Sequence, residues 1–265
     1  MGIITLLYLI LWSILLNHFQ NSILAGEVGE NFQGIASILF TQMGLQFSSM
    51  LLSLITIMLG AGVIASELDT GMIQAIISRP IRREDYVLGK FVGLCIFIVI
   101  TASILFFALL TIGAVFSLDT IVVLSLPQIL QSWLLYLLVL ISLLCLTIYG
   151  SVSLKTVPCG LLMIAIYILG GIGGMVEMIG GLINNAAVAS AGIFLSLISP
   201  FHIIYSTAES VLIPAIGLAG EMMRGAGGLA GSGRSPSSWM FIYIGMYCTF
   251  FLIFAIRKFK KMDIT

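Results

Sequence analysis

The sequence predicts an all-α membrane protein of six transmembrane helices, and three observations lead there. Hydrophobic residues fill 60% of its 265 positions and only 8% are charged, with a mean hydropathy of +1.20. A soluble domain carries about 25% charged residues, and a chain of this size has too little interior to hide so much apolar side chain. The apolar residues also gather into runs of about 20, the length that crosses a hydrocarbon core as a helix. Finally, the Lys and Arg residues are shared unequally between the two sets of connections, as a fixed orientation in a membrane requires. This composition excludes a disordered chain, a collagen-like or disulfide scaffold, and a basic nucleic-acid binder, so no nucleic-acid partner is expected.

The runs place six spans at about 2–19, 37–65, 91–118, 128–150, 158–181 and 238–257, in a single transmembrane domain over 1–265. Residues 3–16 imitate a signal-peptide core. No Lys or Arg precedes them, however, and no A-x-A site follows before Glu27, so they read as a retained span. This first span is short, whereas the second and third are long enough to tilt.

Arg79, Arg82, Arg83 and Lys90 lie between spans two and three, Lys155 between four and five, and Arg257, Lys258, Lys260 and Lys261 after span six. Nine of the eleven basic residues thus fall on one side, leaving Arg224 and Arg234 on the other. The nine mark the cytoplasm, which puts both termini inside a multi-pass protein of the cell membrane.

Residues 186–204 are apolar enough to span as well. A crossing there would flip the parity and carry the basic RKFKK stretch at 257–261 outside. Residues 182–237 are therefore expected to form an outer connection that dips into the membrane and returns, broken at Pro200 and Pro214. Irregular backbone at that depth needs cover from protein or a watery cavity, which suggests a packed outer gate. Glu177, Pro200, His202 and Glu209 are its candidate pathway or gate residues, since acids in or near spans are functional by default. Gly220 to Ser238 is rich in Gly and Ser and reads as a loop. Gly170 and Gly174 have the spacing that permits close helix approach, whether in a dimer contact, within the chain, or at a helix break.

One polar stretch stands out. Glu67 to Lys90 holds eight of the 22 charged residues in 24 positions. Met72, Ile73, Ile76 and Ile77 fall at helical spacing, which predicts a short amphipathic helix lying in the membrane surface. Pro80 ends it and suits the first turn of a new helix. Glu84 and Asp85 then sit near that helix's positive N-terminus. Tyr86 and Lys90 suit the interface before the chain re-enters lipid. A solvated loop accounts for the charges alone; a docking element for a cytoplasmic partner accounts for the helix, the Pro and the second helix start as well.

This segment resembles the cytoplasmic loop of ABC-2 type transporter permeases. The matching positions are Glu67 at the end of span two, Gly71, the helix over 72–78, Pro80, Arg82 or Arg83, Tyr86, and Gly89-Lys90 entering span three. Six spans, an apolar outer connection before the last one and a basic tail (RKFKKMDI) are also similar. Leu68 and Met72 depart from the charged residue and the Thr common in the family, and the chain starts almost directly with apolar residues where members often begin with a charged amphipathic helix. The resemblance implies the membrane subunit of an exporter-type ABC transporter, with a second permease subunit and two ATP-binding subunits as partners. Glu67, Gly71, Ile73, Ile76, Arg79, Pro80, Arg82, Arg83, Tyr86, Gly89 and Lys90 would form the coupling site. ATP and Mg would be held by the partner.

The chain's own chemistry agrees that it is not an enzyme. A P-loop needs Gly-x4-Gly-Lys-Ser/Thr; Gly89-Lys90 is followed by Phe91 and has Glu84 in place of the first Gly. His18 and His202 lie in no metal-ligand pattern, and GSGRS at 231–235 is not a nucleophile elbow. Cys95, Cys145, Cys159 and Cys248 each sit alone in an apolar run, as small hydrophobes do. The other function classes are a secondary transporter or channel, which should show inverted repeats or several buried ionisable groups, and a non-transporting membrane anchor for an ATPase.

Overall fold

The computed structural model describes residues 2–25, 30–72, 83–116, 126–183, 185–212 and 238–261. Their ordered elements are all helical: α1 (Gly2–Ala25), α2 (Glu30–Asp69), α3 (Arg83–Phe116), α4 (Leu126–Ser153), α5 (Thr156–Leu182), α6 (Ala186–Ile198), α7 (Phe201–Leu212) and α8 (Ser238–Lys260). Long apolar segments adopt helices because lipid offers no partner for a free backbone N–H or C=O. Five helices are long and apolar enough to cross a membrane, or six if α6 and α7 count as one broken span. The apolar part of α1, Gly2–His18, is shorter than those five.

The helices overrun the expected spans at most ends. α3 begins at Arg83, eight residues before the expected 91, with Glu84 and Asp85 in its first turn, where the helix dipole favours acids. α2 continues to Asp69 and closes through Gly71, whose φ of +71° is the left-handed conformation that ends helices and that glycine adopts without strain.

α4 is the central helix. Leu143, Leu144 and Ile148 are fully buried, and polar side chains bolt α4 to its neighbours. Ser48 on α2 and Tyr136 on α4 share a hydrogen bond of 2.9 Å. Ser132 Oγ donates to the Ala208 carbonyl on α7 at 2.9 Å. Ser151 Oγ donates to the Ala61 carbonyl on α2 at 2.9 Å and accepts from Ile64 N and Ala65 N. α1 joins through Tyr8, whose hydroxyl donates to the Gly44 carbonyl at 2.6 Å.

The connection after α5 breaks where the sequence places a break. α6 and α7 meet at Ser199 and Pro200 with a bend of 100°. Asn185 caps α6, its side chain accepting from Ala187 N at 3.1 Å. Pro214 lies outside the described residues. α5 runs unbroken through its glycines, four of which, Gly170, Gly173, Gly174 and Gly180, serve close packing inside the chain. A Cβ on Gly173 would stand 3.0 Å from Ser196 N, one on Gly180 2.7 Å from the Ala189 Cα, and one on Gly192 of α6 2.7 Å from the Glu177 Cα. Gly170 faces Ser199, and Gly174 faces the His202 ring.

Candidate functional site

At one end of the bundle, here called the basic end, the last turn of α2 meets the first turns of α3. Tyr86 and Lys90 are four residues apart, so they project from the same face of α3. Both reach Glu67. Lys90 Nζ lies 2.5 Å from Glu67 Oε1, and the Tyr86 hydroxyl donates to Glu67 Oε2. Lys90 Nζ also sits 5.8 Å from the Tyr86 ring centroid. The Glu67 side chain is 20% exposed, so the carboxylate is drawn partly out of water and its two partners replace the lost hydration.

The end of α8 completes the cluster. The Tyr86 ring stacks on Phe259, with centroids 5.5 Å apart and planes 17° off parallel. Arg83 Nη1 donates to the Lys260 carbonyl at 3.1 Å, and Lys260 Nζ pairs with Glu84 Oε1. α5 is tied in separately. Its N-terminus carries no side-chain cap from Lys155, and Asp69 of α2 approaches from outside, accepting from Thr156 Oγ1 at 3.3 Å and Thr156 N at 3.5 Å. Four helix ends, of α2, α3, α5 and α8, thus meet at the basic end, where the chain leaves α2 and enters α3.

Of the residues singled out from the sequence, Glu67, Tyr86 and Lys90 come together directly. Gly71 supplies the turn after α2, and Arg83 binds α8. Gly89 is exposed, and a Cβ there would meet open space, so close approach is not its role. Ile73, Ile76, Arg79, Pro80 and Arg82 lie outside the described residues.

The expected gate residues form a different neighbourhood. Glu177 is 21 residues beyond the start of α5, about 32 Å along the helix, where its backbone packs against Gly192. Pro200 opens α7, its carbonyl accepting from Ile204 N at 3.1 Å. His202 packs on Gly174. Glu209 lies on α7. Among the described residues, no group of His, Cys, Asp or Glu could hold a metal ion. The basic-end cluster is built of ion pairs, hydrogen bonds and one ring stack, an arrangement that positions the ends of α2, α3 and α8 against one another.

Asp69 and the α8 tail escaped the reading of the sequence. Asp69 carried a signal, an acid two residues after Glu67, but nothing in the sequence names Thr156 as its partner. Basic residues at the end of α8 read as orientation charges; their contact with α3 depends on which helices are neighbours.

Together, the long apolar helices and a polar knot confined to their ends define a multi-pass, all-α membrane protein. A family model described as ABC-2 family transporter protein matches residues 2–264, and the chain belongs to that family. It is therefore a membrane transporter component of a type that is typically non-catalytic, and the family implies in general an ATP-binding partner subunit. No curated protein and no solved structure matches the chain.

Proposed function

We propose that the chain is the permease subunit of an ATP-driven exporter. Two permease subunits, identical or different, form the membrane pathway for an amphipathic or hydrophobic substrate. Two separate ATPase subunits holding ATP and Mg dock at the basic end, which faces the cytoplasm of the cell and carries the end of α8. The observation behind this reading is the bridge from Glu67 to Tyr86 and Lys90. It ties together the two helix ends from which segment 73–82 springs, so a partner pressing on that segment moves both ends as one.

In this reading Ile73 and Ile76 supply the apolar face of a coupling helix, Arg79 and Arg82 its charged flank, and Pro80 the break before α3. Gly71 turns the chain out of α2. Closure of the ATPase pair on ATP displaces the segment, and the Glu67 cluster hands that displacement to α2 and α3 together. At the far end, Glu177 of α5 with Pro200, His202 and Glu209 of the bent α6–α7 pair serve as an outer gate.

Purification in mild detergent with an ABC ATPase co-expressed tests the proposal. The expected result is co-elution of the two proteins, with hydrolysis in the complex lowered by Glu67→Ala while membrane insertion is kept. Failure of any ATP-hydrolysing subunit to co-purify, or hydrolysis indifferent to Glu67, would overturn it.

A further inference from the structure

We infer that the cytoplasmic end of α8 is a second transmission element, moved by the first turn of α3 through Phe259 and Lys260. The inference rests on the permease reading above and adds the last span to the moving parts. The described residues on either side of 73–82 differ in their contacts. On one side the chain leaves α2 through Gly71, which has a positive φ and no neighbour near its Cα. On the other side it enters α3 at Arg83, and three of the first four residues of that helix grip α8. Arg83 donates to the Lys260 carbonyl at 3.1 Å, Glu84 pairs with Lys260 Nζ, and Tyr86 stacks on Phe259.

These contacts are unequal, and the difference matters. Phe259 is fully buried, so the ring stack lies out of water and resists separation. The Glu84 and Lys260 side chains are about half exposed, at 45% and 50%, so their ion pair orients the tail more than it holds it. Tyr86 is also bonded to Glu67. One aromatic residue therefore joins α2, α3 and α8. A shift of the first turn of α3 must either break the stack and two polar contacts or carry the end of α8 with it. α8 is well suited to follow: only 11% of its most apolar stretch, within Phe241–Lys260, is buried, against 61% for α4.

The readout sits at the other end of α8. Trp239 is 78% exposed, and in the Trp239→Cys protein its labelling by a membrane-impermeant maleimide is followed in the complex with the ATPase, with and without ATP, Mg and vanadate. A nucleotide-dependent rate change of about fivefold is expected, the low end of ordinary coupling between sites. Phe259→Leu with Lys260→Ala should abolish the change while the ATPase still co-purifies. The charge-swapped pair, Glu84→Lys with Lys260→Glu, in a chain that keeps Phe259, should retain it. As a second arm, Glu84→Cys and Lys260→Cys are joined by a short bis-maleimide, with the wild-type chain treated alike. Because the two ends travel together, the cross-linked complex should hydrolyse ATP at the rate of the untreated one. Loss of hydrolysis on cross-linking, equal nucleotide response with and without the Phe259 and Lys260 substitutions, or no response in the otherwise unaltered chain would overturn the inference and leave the permease reading standing. Absence of a co-purifying ATPase would remove both.

Discussion

Ser151 on α4 is inserted into the backbone of α2 at Ala61. Its hydroxyl donates to the Ala61 carbonyl at 2.9 Å and accepts from Ala65 N at 3.0 Å and Ile64 N at 3.1 Å. Ala61 O and Ala65 N are the two groups that an α-helix pairs with each other, so one side chain bridges a rung of the neighbouring helix. Ser151 is fully buried, as is Thr147 one turn earlier, whose Oγ1 fills the space beside Gly60. The centre of the bundle is thus fixed by short polar side chains where apolar packing alone would leave helices free to slide.

Ser151→Ala should therefore loosen the α2–α4 pair. In Ser151→Ala the backbone groups of α2 regain each other, so the loss stays near about 1 kcal/mol, in line with hydrogen bonds measured between membrane helices. Thermal unfolding in detergent checks this. Ser151→Val, which also adds bulk between the helices, should cost more than Ser151→Ala.

Glu67 offers a sharper test, because its two partners separate by chemistry. Tyr86→Phe removes one hydrogen bond and keeps the ring on Phe259, so a loss of about 1 kcal/mol is expected. Glu67→Ala removes both charge-assisted contacts and leaves Lys90 without its acid, for a loss of about 2 kcal/mol. If the three side chains act as one unit, Tyr86→Phe in a Glu67→Ala background should cost almost nothing further. Additive losses in that double-mutant cycle would mean that the cluster has no coupling energy.

How much of this site could be read from the sequence depends on distance along the chain. Tyr86 and Lys90 share a face because four residues separate them on a helix, and Glu67 ends the preceding span, so their meeting follows from one hairpin. The break at Pro200 was legible for the same local reason, since proline cannot continue α6. The Asp69–Thr156 cap, the Ser151 bridge and the grip of α3 on Lys260 join residues separated by 87, 90 and 177 positions. Periodicity carries no information about which apolar helices become neighbours, because lipid-facing and helix-facing leucines look alike. The glycines of α5 illustrate the limit. The spacing of Gly170 and Gly174 permits a close approach, while their partners, Ser199 and His202, emerge only from the way the chain folds back after the Asn185 cap.

Gly71 should tolerate few replacements. Its φ of +71° places any side chain in the left-handed region, and a Cβ there would meet no neighbour, so the cost is purely conformational. Gly71→Ala is expected to cost about 1 kcal/mol, and Gly71→Asn less, since Asn visits that region more readily. Gly89, exposed and open around its Cα, lies within helical α3, and Gly89→Ala should be neutral or slightly stabilising by helix propensity. Comparing the three variants by unfolding in detergent separates a backbone requirement at the exit of α2 from general sensitivity of the segment. Equal effects of Ala at 71 and 89 would contradict it.

The α5–α6 contact gives the largest expected effect. A Cβ on Gly192 would approach the Glu177 Cα to 2.7 Å, and one on Gly180 the Ala189 Cα to the same distance; both obstacles are backbone, which cannot rotate aside. Gly192→Ala and Gly180→Ala should each force the helices apart and cost about 1–3 kcal/mol, the range for overpacking a tight site. A Cβ on Gly171, on the same helix as Gly180, would have nothing within 4 Å, so Gly171→Ala should leave stability unchanged or raise it slightly. Because the bent α6–α7 pair is held to α5 along this seam, Gly192→Ala should also speed proteolysis between α6 and α7 in detergent, near Ser199 and Pro200. Melting temperatures for the three variants, with limited proteolysis mapped by mass spectrometry, decide the matter. An inert Gly192→Ala would show that the seam yields, and that α6 is free to part from α5 beside the bend into α7.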